Sequence, residues 1–253
     1  FISVTYGAGG STTENTVEIA SKIKNEYSIE AVAHLSCIDA TPEQLIRVLD
    51  SLKANNIENV LALRGDYPRG YDPMKAPHYY KYASELNDFI SKNYPDTFCL
   101  SGACYPEVHQ EAASLEEDLI ALKKKVDAGA EYLITQIFFD NNYYYRLVRE
   151  ARIRGINVPI IAGIMPATNS KSLLNIAKLS GCNIPYNLSA SIERFKSNPQ
   201  AMKEVGMNYA TNQIIDLITN GVDGIHLYTM NKPETVHEIL KRTSNILAEF
   251  KND

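Results

Sequence analysis

The chain has 253 residues, 45% of them hydrophobic, enough to bury a substantial core in either one barrel or two small domains. A formal net charge of -5 and the lack of any long Lys/Arg block exclude a large nucleic-acid or anionic-membrane surface as the main partner, though not a local phosphate site. The apolar runs are far shorter than the roughly 20 residues of a membrane-spanning helix, and Cys37, Cys99, Cys104 and Cys182 show neither a CxxC pair nor zinc-ligand spacing, which points to reduced thiols in or near a core and a cytoplasmic setting.

In chain order, short β-rich runs alternate with helical patterns, the signature of βα units around a parallel sheet. The runs are Ile2 to Gly7, Ala31 to Cys37, Asn59 to Gly65, Cys99 to Pro106, Tyr132 to Phe139, Pro159 to Pro166 and Gly224 to Asn231. The first opens the chain as a buried strand with no Met before it, which predicts missing upstream sequence. After the second run, TPEQLIRVLDSLKANN carries Thr41 as N-cap, Pro42 at the first helical position and Gln44 three residues past the cap. LEEDLIALKKKVDAG places Leu115, Leu119, Leu122 and Val126 on one apolar stripe and stops at Gly129. The stretch from about Cys182 to Asn220 reads as a helical insertion plus one barrel helix, and NKPETVHEIL repeats the capping pattern with Asn231 and Glu234.

Seven such units predict an eight-stranded (β/α)8 barrel lacking its first strand, formed as a single domain over residues 1–253. The rival doubly wound fold calls for a GxGxxG turn, and GAGGST at 7–12 does not match that spacing.

In a parallel barrel, function collects where strands end. VLAL runs into Arg64-Gly65-Asp66, a charged pair around a glycine, readable as a loop-closing ion pair or as a ligand site. His34 and Gln136 are polar groups in otherwise apolar strands, each either a hydrogen-bonded core residue or a site residue. Asp118 and Lys125 lie seven apart on one helix side, either as a solvated charge face or as partners for a sugar hydroxyl and a phosphate. YPEVHQEA sets Tyr105, Glu107, His109 and Glu111 in a loop after a strand. A metal site there lacks a second cluster of ligands, and no metal is assigned.

The runs VTYGAGGST, AHLSCIDATP, ALRGD, YPEVHQEA, LKKKVDAGA, TQIFFD, GIMP and HLYTMN together resemble, in order and spacing, the bacterial methylenetetrahydrofolate reductases. The resemblance implies a (β/α)8 oxidoreductase of one-carbon and methionine metabolism. Such an enzyme holds FAD non-covalently, takes a hydride from NADH or NADPH and reduces 5,10-methylenetetrahydrofolate to 5-methyltetrahydrofolate. It implies an FAD site lined by Thr5, Tyr6, Ala8, His34, Arg64, Gly65, Asp66, Ala83, Tyr105, His109, Ala112, Asp118 and Lys125. Asp66 and Gln136 are the implied catalytic residues, and Asp66, Gln136 and Lys232 the implied substrate contacts.

Ala121 and Lys124 stand where relatives carry Asn and Arg near the FAD. Ser172 and Lys232 replace a Gln and an Arg that serve folate, and Ile176 replaces a Phe. The family's general acid, a Glu in an FEFFPP motif, is expected within about 30 to 50 upstream residues, the size of one βα unit. A homo-oligomer is expected, and an electron-transfer partner subunit stays open. The alternatives are a catalytically impaired flavin- or folate-binding subunit of a larger complex, and a non-flavin barrel such as a pterin-dependent methyltransferase or metal aldolase.

Overall fold

The computed structural model describes residues 1–5, 13–38, 40–66 and 79–250. Among them are seven strands: β1 (Ile2–Val4), β2 (Ala31–Ser36), β3 (Asn59–Leu63), β4 (Cys99–Cys104), β5 (Ala130–Thr135), β6 (Ile160–Ile164) and β7 (Ile225–Leu227). Their order in the sheet is their order in the chain, and pairing is parallel for β1 through β4 and for β6 with β7. With helices between successive strands, this is the (β/α)8 arrangement. Every expected strand is present, though shorter, because several runs continue past the last ladder bond into the loop that follows.

The helices are α1 (Thr13–Ser21, continued by a π-helical turn over Lys22–Glu26), α2 (Pro42–Ala54), α3 (Ala83–Asn93), α4 (Leu115–Asp127), α5 (Asn141–Ile153), α6 (Ser170–Ser180), α7 (Tyr186–Phe195), α8 (Pro199–Thr219) and α9 (Pro233–Phe250). The expected cap of α2 forms as a reciprocal box. Thr41 Oγ1 accepts the Gln44 N–H at 3.3 Å, and Gln44 Oε1 accepts the Thr41 N–H at 2.7 Å. The cap expected at Asn231 does not form. Asn231 has φ +57, whereas an N-cap needs extended backbone, and α9 begins at Pro233. No helix of the described residues is long and apolar enough to cross a membrane.

The chain divides into two compact units. The first (Phe1–Ala103 and Ile120–Leu133) holds a core of Ala33, Leu35, Leu49, Leu52, Val60 and Leu86. Here β2 and β3 are buried along most of their length, as strands of a parallel sheet covered on both faces should be. The second (Cys104–Leu119 and Ile134–Asp253) packs Ile137, Phe139, Met165, Leu173, Leu188 and Met202 together. Gly206 of α8 lies so close to the β6–α6 connection that a Cβ there would stand 2.3 Å from the Ala167 carbonyl. At the start of β6, Arg152 donates to the carbonyls of Ile156 and Val158 and pairs with Asp223, which in turn accepts the Ile160 N–H at 2.8 Å.

All four cysteines are free thiols. Burial pushes the Cys37 thiol up to about 12 and those of Cys99 and Cys182 to about 11.

Candidate functional site

In the first unit, the expected residues lie in and after the ends of β1, β2 and β3, at the start of α3 and on α4. The Thr5 carbonyl accepts the Thr16 hydroxyl at 3.1 Å. His34, half-buried in β2, stands beside Leu61 of β3 in the ladder. Past β3, the chain is pinned through one carbonyl. Arg64 O accepts the Ile38 N–H at 2.9 Å, the Cys37 N–H at 3.2 Å and the Ser36 hydroxyl at 3.1 Å.

Gly65 follows at φ +87, and a Cβ there would lie 2.0 Å from Ser36 Oγ, so only glycine fits both the dihedral and the space. Asp66 comes next and is exposed. Ala83 is the first, buried residue of α3. Lys125 of α4 is half-buried and donates from Nζ to the Ala103 carbonyl near the end of β4 at 2.7 Å. Tyr6 and Ala8 lie outside the described residues.

In the second unit, the loop after β4 carries Tyr105, His109 and Ala112. The Tyr105 and His109 rings meet edge to face with centroids 4.5 Å apart. Asp118, at the start of α4, accepts the His109 main-chain N–H on Oδ2 at 2.9 Å, and His109 O accepts the Ala112 N–H at 2.9 Å. His109 Nδ1 accepts the Glu111 N–H at 3.1 Å, so the neutral imidazole carries its proton on Nε2. Asp118 and Lys125 are therefore not a solvated charge face, since each is half-buried with a main-chain partner.

Val108, just before the histidine, has φ +79, which costs a β-branched residue on the order of 1–3 kcal/mol. Glu107 is half-buried and bonded to Asn183. Burial raises its carboxyl above the usual range, and the Asn183 donors pull it back only in part.

Gln136 does not lie within a strand. β5 ends at Thr135, and Gln136 follows, its N–H donated to the Cys104 carbonyl at 2.8 Å and its Oε1 accepting the Ile137 N–H at 2.9 Å. Thr135 is completely buried; its Oγ1 accepts the Gly163 N–H at 2.8 Å and its carbonyl accepts the Tyr228 hydroxyl at 2.9 Å. Tyr228 reaches it only because position 163 has no side chain.

Tyr228 also lines a shallow pocket of about 40 Å³ past β6 and β7, together with Met165, Ser172, Ile176 and Lys232. Ser172, Ile176 and Lys232, the three positions expected to differ from the family pattern beside folate, thus line one small opening. That opening has room for about one water, so side chains must shift to admit a ring. A larger cavity of about 500 Å³ beside α3 touches Lys124 but none of the expected site residues.

The interplay of Gly163, Thr135 and Tyr228 is legible in the sequence only as an isolated glycine in an apolar strand, a sign of close approach by another group. The Glu107–Asn183 pair, 76 positions apart, has no sequence signal at all.

His226, edge to face with Tyr228 at 5.0 Å, is driven down from 6.5 to about 4 by burial. The fold therefore keeps it neutral while the unfolded chain protonates it, and stability is lost as pH falls from 6.5 toward 4. This contribution is on the order of 2–3 kcal/mol. Urea unfolding at pH 7.5, 5.5 and 4.5 should show His226→Gln losing less stability on acidification than the parent, and parallel losses would refute the assignment.

A family model described as methylenetetrahydrofolate reductase matches residues 1–244. The chain belongs to the methylenetetrahydrofolate reductase family. Among its relatives in that family, 5,10-methylenetetrahydrofolate reductase of Escherichia coli is 39% identical over 239 residues, covering 94% of this chain and 78% of the relative. Methylenetetrahydrofolate reductase (NADH) 1 of Arabidopsis thaliana is 38% identical over 250 residues, covering 95% of this chain and 42% of the relative. The chain thus spans less than half the length of the plant reductase. An uncharacterized protein from Clostridium thermocellum, solved as a structure that binds two copies of 5-methyl-5,6,7,8-tetrahydrofolic acid, shares the fold. It has a TM-score of 0.57 at 13% identity, and the match covers 96% of this chain and 92% of that one.

Proposed function

We propose that the protein carrying this chain reduces 5,10-methylenetetrahydrofolate to 5-methyltetrahydrofolate with electrons from NADH or NADPH, using non-covalent FAD in a single barrel domain. The observation that carries this reading is the end of β3, where a backbone pinned by Ser36, Cys37 and Ile38 leads through a left-handed glycine to an exposed carboxylate. The Cβ position of Gly65 is taken up by Ser36, so the glycine lets the loop lie tight against the end of β2 and fixes where the Asp66 carboxylate emerges, a rigid acidic rim suited to a ligand ring.

Other residues fit the rest of such a cofactor. His109 presents an N–H donor, Lys125 a half-buried ammonium suited to a phosphate, and Asp118 an acceptor suited to a sugar hydroxyl. Thr5, His34, Arg64, Gly65, Ala83, Tyr105 and Ala112 would complete its surroundings, with Tyr6 and Ala8. Bound FAD would supply a two-electron carrier between nicotinamide and folate.

Asp66 would bind the pterin of the substrate and supply a negative charge to tune bound FAD. Gln136 orients the substrate with its side-chain amide. Lys232, at the rim of the pocket past β6 and β7, supplies a positive charge for the carboxylates of folate. A proton donor for the folate nitrogen is assigned to none of these residues. The protein acts in the cytoplasm as a homo-oligomer.

The test is the visible spectrum of the full-length protein under anaerobic conditions. A flavin spectrum that bleaches with one nicotinamide and returns on adding methylenetetrahydrofolate is the expected result. A colourless protein that takes up no FAD would sink the proposal, and a flavin that neither nicotinamide bleaches would leave only a binding subunit.

A further inference from the structure

The loop after β4 is anchored on both sides of His109, and both anchors reach the same turn, the one that ends α6. On one side Glu107 holds Asn183. The Asn183 main-chain N–H is donated to Oε1 at 3.1 Å and Oε2 at 2.9 Å, and its side-chain amide to Oε2 at 2.5 Å. On the other side, Gln110 donates its amide to the Leu179 carbonyl at 2.7 Å. The turn comes this near because Gly181 occupies it at φ +69, and a Cβ there would stand 2.7 Å from the Gln110 side chain. Between the anchors lies Val108 at φ +79. A β-branched residue stays in that region only when its surroundings over-determine it.

We propose that Glu107 is a positioning residue: its carboxylate, acting through Asn183, keeps Val108 in the left-handed conformation and so sets the direction in which His109 presents its Nε2–H. What His109 serves rests on the FAD reading above; the loop geometry does not. The residue type is specific, because all three bonds come from donors and a carboxylate only accepts. In Glu107→Gln, one terminal atom becomes a donor facing donors.

The test compares the full-length protein with Glu107→Gln, Asn183→Ala and the double variant Glu107→Gln/Val108→Asn. The readouts are the FAD dissociation constant and amide exchange over residues 108–112 in the apoprotein. Glu107→Gln should raise the dissociation constant about 10-fold, the size of a lost bond to a charged group, and speed exchange at the His109 N–H. Asn183→Ala keeps the main-chain donor and should show roughly a 2-fold effect. Val108→Asn should restore most of the lost affinity, because asparagine tolerates the left-handed region far better than valine.

Parental affinity and exchange in Glu107→Gln would overturn the proposal. So would a loss that tracks the drop in thermal midpoint and is not recovered by Val108→Asn, since that is what a merely structural contact gives. Failure of the parent protein to bind FAD would instead sink the functional reading, and the exchange arm would still decide the positioning.

Discussion

Replacing Gly163 with alanine should cost about 3 kcal/mol of stability, toward the upper end for overpacking a core. The added Cβ would stand 2.4 Å from the Thr135 carbonyl oxygen and 2.6 Å from Cε2 of Tyr228. Neither neighbour can yield cheaply. The carbonyl ends strand β5 and accepts the Tyr228 hydroxyl, and the ring lies against His226. Calorimetry should find the thermal midpoint lowered by roughly 6–12 °C for a chain of this size. Gly224→Ala is the control, since its Cβ would meet Ile161 side-chain atoms at an ordinary 3.6 Å, and it should change the midpoint little. Equal midpoints for the two variants would refute the steric argument. Because Tyr228 also lines the pocket past β6 and β7, Gly163→Ala should reshape that pocket along with lowering stability.

The second large effect is functional. Asp66→Asn should lower folate turnover about 10²-fold, the lower end of what a positioned ionisable group contributes, while leaving FAD content near that of the parent protein. The substitution removes a charge and keeps the shape, and the loop is held by the Arg64 carbonyl and the Gly65 dihedral, neither of which involves the Asp66 side chain. The midpoint potential of the flavin should move upward, because a carboxylate next to the ring disfavours the reduced anion. Steady-state kinetics and a reductive titration decide it. Unchanged turnover and potential together would remove Asp66 from the mechanism.

The fold could be read from the sequence because its signals are local. Each buried strand is a short apolar run between turn residues, and the capping box of Thr41 and Gln44 involves positions three apart. Where local signals conflict, the reading slips. Asn231 looked like a cap and lies at φ +57, and Gln136 looked like part of a strand although β5 ends one residue earlier, as polarity and apolar runs do not mark where ladder bonds stop.

The candidate site was partly legible for a related reason. Gly65 and Asp66 announce themselves as a glycine and a charge at the end of a core strand. The partners that hold site residues in place do not. Ser36 beneath Gly65, and Asn183 gripping Glu107, are ordinary polar residues whose roles depend on the chain returning from afar.

The buried thiols have a consequence for how the protein would withstand the flavin chemistry proposed above. A reduced flavin exposed to oxygen yields hydrogen peroxide, and peroxide attacks cysteine through the thiolate. With Cys37 held near 12 and Cys99 and Cys182 near 11, almost none of that form exists at neutral pH. The chain therefore offers little at these positions for oxidation to sulfenic acid, and repeated aerobic cycling should inactivate it by routes other than these three thiols.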